Sequence, residues 1–181
     1  MRDTIQFQRQ PQPYGCNYYS VAALCDVPDG WAEEHEADCS NERLQIRLWE
    51  QGYALWPFYV NSKTPAPREF WEALAEDLGG QGFGRMDYQV AIESPTYRGV
   101  THAVGLRIEL DGPLARGVAV VDTSGHDDWQ ALSWDEFLAS PYSRATVVNL
   151  IWGNDLDSWA PVVGPEQPHA LDPTAHLHEA A

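Results

Sequence analysis

Cys16 opens an apolar run, Asn17 to Leu24, directly after Gly15, and the chain later supplies His102 and then Asp122. An ordinary thiol, with a pKa of about 8.5, is only a few per cent ionised at neutral pH, and a neighbouring imidazolium or a helix N-terminus lowers that value. A base needs a third group to hold its tautomer, and acyl transfer needs donors where charge develops on the substrate oxygen. Cys16, His102 and Asp122 therefore point to nucleophilic acyl transfer through a thioester. Gln8, Gln10 and Gln12 all lie just upstream as amide donors for that oxygen, and the residues alone do not choose among them.

Each residue also has a plainer reading. Cysteine is often simply buried. A histidine near the start of an apolar strand is often a satisfied, half-buried imidazole, and Asp122-Thr123-Ser124-Gly125 is a turn sequence. It is the joint occurrence of the three that favours chemistry. Cys25 falls on an apolar face and reads as core, and Cys39 lies in a polar loop without a base. His126 competes with His102, but it sits in the polar stretch Gly125-His126-Asp127-Asp128 and reads as a surface residue.

The elements that must carry these groups follow from periodicity. Pro11 and Pro13 keep residues 1–15 extended, and a helix begins at or beside Cys16, with Tyr18, Val21, Ala22, Leu24 and Cys25 at helical spacing. Pro28 and Gly30 stop it. Ser40 caps a second helix reaching Gln51 with Leu44, Leu48 and Trp49. A third helix runs from Pro67 to Leu78 with Phe70, Trp71, Leu74 and Leu78 on one face. Strands are expected at Leu55–Val60, Tyr88–Ile92, Thr101–Leu110, Val118–Val121 and Thr146–Trp152, so His102 heads one strand and Asp122 follows the next. Ser133 followed by Glu136 predicts a capping box on a short helix to Leu138. Helices first and strands later define an α+β fold, with N-terminal helices packed on a C-terminal antiparallel sheet. One domain over residues 1–160 is expected, with a Pro- and His-containing tail at 161–181.

The 27 acidic against 11 basic residues give a net charge of −16. Such a chain is repelled by phosphate backbones and anionic lipid, so nucleic acid and membrane are not expected partners. No run approaches the roughly 18 to 20 apolar residues of a membrane span, and the N-terminus lacks a secretory layout. Three cysteines without a Cys-x-x-Cys pair indicate a reducing, cytoplasmic setting. His35 and Cys39 share metal-like spacing but lack a regular third and fourth ligand, so no metal or cofactor is expected. Gly79-Gly80-Gln81-Gly82-Phe83-Gly84 follows a helix and contains no lysine, and reads as a connection, not a phosphate loop. Trp31, Trp49, Trp56 and Trp71 read as core in preference to cleft lining.

These residues resemble papain-like cysteine peptidases, in particular the bacteriocin-processing double-glycine group and its relatives. There a glutamine lies six residues before a helix-opening cysteine, a histidine heads one strand and an aspartate ends the next, as Gln10, Cys16, His102 and Asp122 do here. Leu132-Ser133-Trp134-Asp135-Glu136-Phe137-Leu138 is similar to the short helix that follows the aspartate in that group. The chain departs from it at Gly15 and Asn17, where the group has aspartate and glycine. The resemblance spans residues 8–150 and implies a papain-like fold. It also implies peptide- or isopeptide-bond hydrolysis of a protein or peptide substrate, without cofactor. Cys16 would be the nucleophile, His102 the base and acid, and Asp122 its orienter, with Gln10 as oxyanion donor. Acyl transfer to an amine, as in transglutaminase-like enzymes, uses the same groups. An inert protein of this fold would instead act by docking through its acidic surface.

Overall fold

The computed structural model describes residues 3–12, 14–38, 40–94, 99–124 and 126–153. The expected tail at 161–181 and the end of the expected domain, 154–160, lie outside them. Within them the chain forms α1 (Cys16–Ala22), α2 (Trp31–His35), α3 (Asn41–Glu50), β1 (Tyr53–Val60), α4 (Arg68–Gly80), β2 (Arg85–Glu93), β3 (Thr101–Asp111), β4 (Leu114–Val121), β5 (Gln130–Ser133), α5 (Trp134–Ala139) and β6 (Val147–Gly153). The fold is α+β, as the order of elements predicts. Neighbouring strands are all antiparallel, in the order β1-β6-β2-β3-β4-β5.

Helices cover both faces of this sheet. Successive strand residues point to opposite sides: Val120 and Leu150 pack with Trp71 and Leu74 of α4 and Phe137 of α5. Their neighbours Val121 and Ile151 pack with Tyr18 and Val21 of α1 and Leu44 and Leu48 of α3. Each such fully buried apolar side chain contributes roughly 1.5–3 kcal/mol. Between α1 and the sheet runs a polar row: Gln89 Nε2 donates to Asn17 Oδ1 at 3.3 Å, and Asn149 Nδ2 to Gln89 Oε1 at 3.1 Å. Beside it Arg107 holds Asp87 through both carboxylate oxygens, at 2.7 and 2.8 Å, and both residues are buried.

Local signals placed most elements. Ser40 Oγ accepts from Arg43 N at 3.2 Å and starts α3; Ser133 and Glu136 make the reciprocal capping box at α5. Some expectations change. The helix at Cys16 ends at Ala22, short of Cys25, and Trp49 is 64% exposed on the outer side of α3 instead of joining its inward stripe. α4 runs through Gly79 and Gly80, which had read as loop. Gly79 is there because the helix end abuts the β3–β4 turn: a Cβ would sit 1.7 Å from the Gly112 carbonyl oxygen. The short elements α2 and β5 have no counterpart in the sequence reading, since four or five residues are too few for a period to declare itself.

One approach matters most for the site. A Cβ on Gly105 of β3 would lie 2.7 Å from the Ser20 carbonyl oxygen and 3.0 Å from Leu24 Cδ1. Glycine here lets α1 lie directly on β3, which brings the first residue of α1 to the start of that strand.

Candidate active site

That first residue is Cys16, half-buried. The His102 side chain and the backbone N–H groups of Ala103 and Asn17 lie close enough to its thiol to favour the thiolate. β3 reaches back to Thr101, beyond its last β4 pair at Gly105–Val121, so His102 and Ala103 lie on a stretch of β3 that β4 does not cover. Burial pushes the Cys16 thiol up. The His102 hydrogen bond, the two backbone donors and the imidazolium charge oppose this and prevail, and the thiol lies below its ordinary range.

His102 Nε2 lies 2.8 Å from Asp122 Oδ1 and 3.0 Å from Ser124 Oγ. A carboxylate only accepts, so Nε2 carries a proton towards Asp122, and Nδ1 is the ring nitrogen left for Cys16. Strand pairing sets this up. Gly105 faces Val121 at the end of the ladder, so the turn that carries Asp122 and Ser124 leaves β4 beside the uncovered start of β3 that carries His102. Burial lowers the His102 pKa, but the hydrogen bonds and charges of Asp122 and Cys16 carry it up to about 9. Burial raises Asp122, while the His102 hydrogen bond and charge and the Ser124 donors bring it down to about 2. A depressed thiol facing an elevated imidazole is the condition for a thiolate–imidazolium pair.

Gln10 is buried, whereas Gln8 and Gln12 are exposed. Its backbone N–H donates to the Thr123 carbonyl at 3.1 Å, and its Oε1 accepts from Thr123 Oγ1 at 2.9 Å. Its Nε2 donates one proton to the Gln12 carbonyl at 2.9 Å and retains a second N–H. A cleft of about 220 Å³ brings Gln10, Cys16, His102 and Ser124 together, with Gln12 and Thr101 on its wall. No aspartate or glutamate lines it among the described residues, despite the acidic composition. A larger cavity, about 380 Å³, lies behind α1 against Gln8, Tyr19 and Trp31, and holds neither a thiol nor an imidazole. The candidate chemistry therefore sits in the smaller space.

The remaining candidates fall elsewhere. Cys25 is buried in the α1–α3 core. Cys39 lies outside the described residues, as do the tail histidines; His35 packs its ring edge-on against Trp31. Among the described residues no group of three or more His, Cys, Asp or Glu side chains is arranged to hold a metal ion. Trp31 and Trp71 are core, Trp49 and Trp56 are exposed, and none of the four lines the Cys16 cleft. His126 is half-buried and not a simple surface residue: its Nε2 lies 3.1 Å from Tyr142 Oη, and its Nδ1 lies 3.0 Å from Gln130 Nε2. No described helix is long and apolar enough to cross a membrane.

Two residues escaped the sequence reading. Thr123 holds Gln10, and Ser124 touches both His102 and Asp122, its Oγ 3.0 Å from Asp122 Oδ1. The signal was the turn sequence itself: an aspartate accepting from the N–H two residues on is a common turn device, and Ser124 N donates to Asp122 Oδ1 at 3.2 Å. No protein-family model, curated protein or solved structure matches the chain.

Proposed function

We propose that the protein is a cysteine peptidase of papain-like fold that cleaves a peptide or isopeptide bond through an acyl thioester on Cys16. The observation that supports this reading is the set Cys16, His102 and Asp122: His102 is hydrogen-bonded to Asp122, and it lines one cleft together with Cys16 and Gln10. The shifts in Cys16 and His102 run in the directions that favour a charged thiolate–imidazolium pair, which is what a thiol triad needs.

The Cys16 thiolate attacks the substrate carbonyl carbon, and the carbonyl electrons move to oxygen. The second N–H of Gln10 Nε2 and the Cys16 backbone N–H are the donors for that oxyanion. As the tetrahedral intermediate collapses, the C–N bond breaks and the His102 imidazolium gives its proton to the departing amine. Water then attacks the thioester while neutral His102 takes its proton, the carboxylic acid leaves, and the thiolate–imidazolium pair is restored. Asp122 stays ionised throughout, holding the ring so that Nδ1 faces sulfur.

The test is the pH dependence of alkylation at each cysteine, read by peptide mass spectrometry. Cys16 is expected to react fastest and to remain reactive well below pH 7, and His102→Ala is expected to remove that advantage. If Cys16 reacts no faster than Cys39, or is protected at every pH, the peptidase reading fails and a docking protein of the same fold replaces it.

A further inference from the structure

The carboxylate of Asp122 has two oxygens, and the triad uses one. Oδ1 receives His102, the Ser124 backbone N–H and the Ser124 hydroxyl. Oδ2 faces the Tyr142 hydroxyl at 3.4 Å. Behind that phenol lies His126, with Nε2 3.1 Å from Tyr142 Oη, and behind His126 lies Gln130, with Nε2 3.0 Å from His126 Nδ1. Three neighbouring stretches of the chain thus form one line: the turn after β4, the start of β5, and the 3-10 turn at Pro141–Ser143.

Counting protons gives this line a direction. As the Gln130 amide is oriented, its nitrogen faces His126 and donates, and His126 Nδ1 accepts. A neutral His126 ring then carries its single proton on Nε2 and donates it to Tyr142 Oη. The phenol oxygen accepts there, and its own proton is left for Asp122 Oδ2. With the opposite tautomer, Nε2 would take the phenol proton and Oδ2 would lose this donor. Burial and the charge of Asp122 push Tyr142 up to about 12, so the phenol stays a donor through the neutral range.

We propose that Tyr142 is a positioning residue for Asp122, its one proton steered onto the carboxylate by His126 and Gln130. The consequence for Cys16 rests on the thiol-peptidase reading. Held at both oxygens, the carboxylate cannot swing about its own axis, and Oδ1 stays in line with His102 Nε2. Without the Tyr142 donor the carboxylate is held less firmly, the imidazolium is held less often, and the thiolate that depends on that imidazolium is less favoured.

Two measurements on the full chain test this. The first is the tautomer of His126 by long-range proton–nitrogen NMR at pH 8, where an ordinary imidazole is neutral. The Nε2–H form is expected, and a dominant Nδ1–H form overturns the proposal. The second is the pH profile of Cys16 alkylation in Tyr142→Phe, which keeps the ring and removes only the hydroxyl. Its acid limb is expected to move to higher pH by about half a unit, the scale of one ordinary net hydrogen bond, in keeping with the long 3.4 Å contact. An unchanged limb, or one moved to lower pH, in a folded variant overturns it. Gln130→Leu, which frees the tautomer without touching the phenol, is expected to move the limb the same way and serves if Tyr142→Phe does not fold. If wild-type Cys16 shows no acid-shifted limb, the thiol reading fails, while the His126 tautomer still decides the relay.

Discussion

Thr123 grips Gln10 twice, accepting the Gln10 backbone N–H at its carbonyl (3.1 Å) and donating its hydroxyl to Gln10 Oε1 (2.9 Å). The same three-residue turn therefore serves the whole site: Asp122 orients His102, Thr123 orients Gln10, and Ser124 touches both His102 and Asp122. Holding Oε1 decides which end of the amide is available, because it leaves Nε2 as the donor end near Cys16.

If Gln10 supplies an oxyanion donor, its loss should slow acyl transfer without slowing simple alkylation, which develops no oxyanion. With a p-nitrophenyl ester as acyl donor, Gln10→Ala is expected to lose about 10²–10³-fold in acylation rate. Thr123→Val, which only loosens the amide, should lose less, while iodoacetamide labels Cys16 at the wild-type rate in both. Equal losses in both assays would mean that Gln10 acts by supporting the fold around Cys16.

The paired shifts of His102 and Asp122 make stability depend on pH in a defined window. Asp122 titrates at about 2 in the fold against an ordinary 3.8, so its contribution is complete above about pH 4 and is lost as pH falls through 2. His102 titrates at about 9 against an ordinary 6.5, so its contribution is present below 6.5 and is lost as pH rises through 9. The stability difference between wild type and Asp122→Asn, from urea unfolding, is thus expected to be greatest from about pH 4 to 6.5 and to shrink on both sides. A difference independent of pH would contradict the linkage.

Gly105→Ala tests how the thiol is carried to the base. The added methyl meets the Ser20 carbonyl at 2.7 Å, a backbone atom that yields only if α1 moves. Overpacking of this kind costs about 1–3 kcal/mol, and the displaced helix should also reduce Cys16 reactivity at pH 6. Denaturant midpoint and alkylation rate, measured together, check both. Full reactivity in a destabilised variant would show that Cys16 does not depend on this contact.

Much of this molecule was readable in its sequence, for a physical reason: caps, prolines and hydrophobic periods act over a few residues. Ser40 and Ser133 marked helix starts, strand-forming apolar runs marked β2, β3 and β4, and the positions of His102 near the head of one strand and Asp122 at the end of the next followed directly. The tertiary structure decided what depends on contacts between distant segments. The choice of Gln10 over Gln8 and Gln12 needed Thr123, more than a hundred residues away. The role of His126 needed Tyr142 and Gln130; by itself it read as a surface residue. Gly79 read as loop until its contact with the Gly112 turn supplied the steric reason for a glycine within a helix. The insertion of β6, the last strand among the described residues, between β1 and β2 has no local signature at all. Local propensity selects conformations residue by residue. Which of them meet is settled by how the two helical layers and the sheet exclude water together.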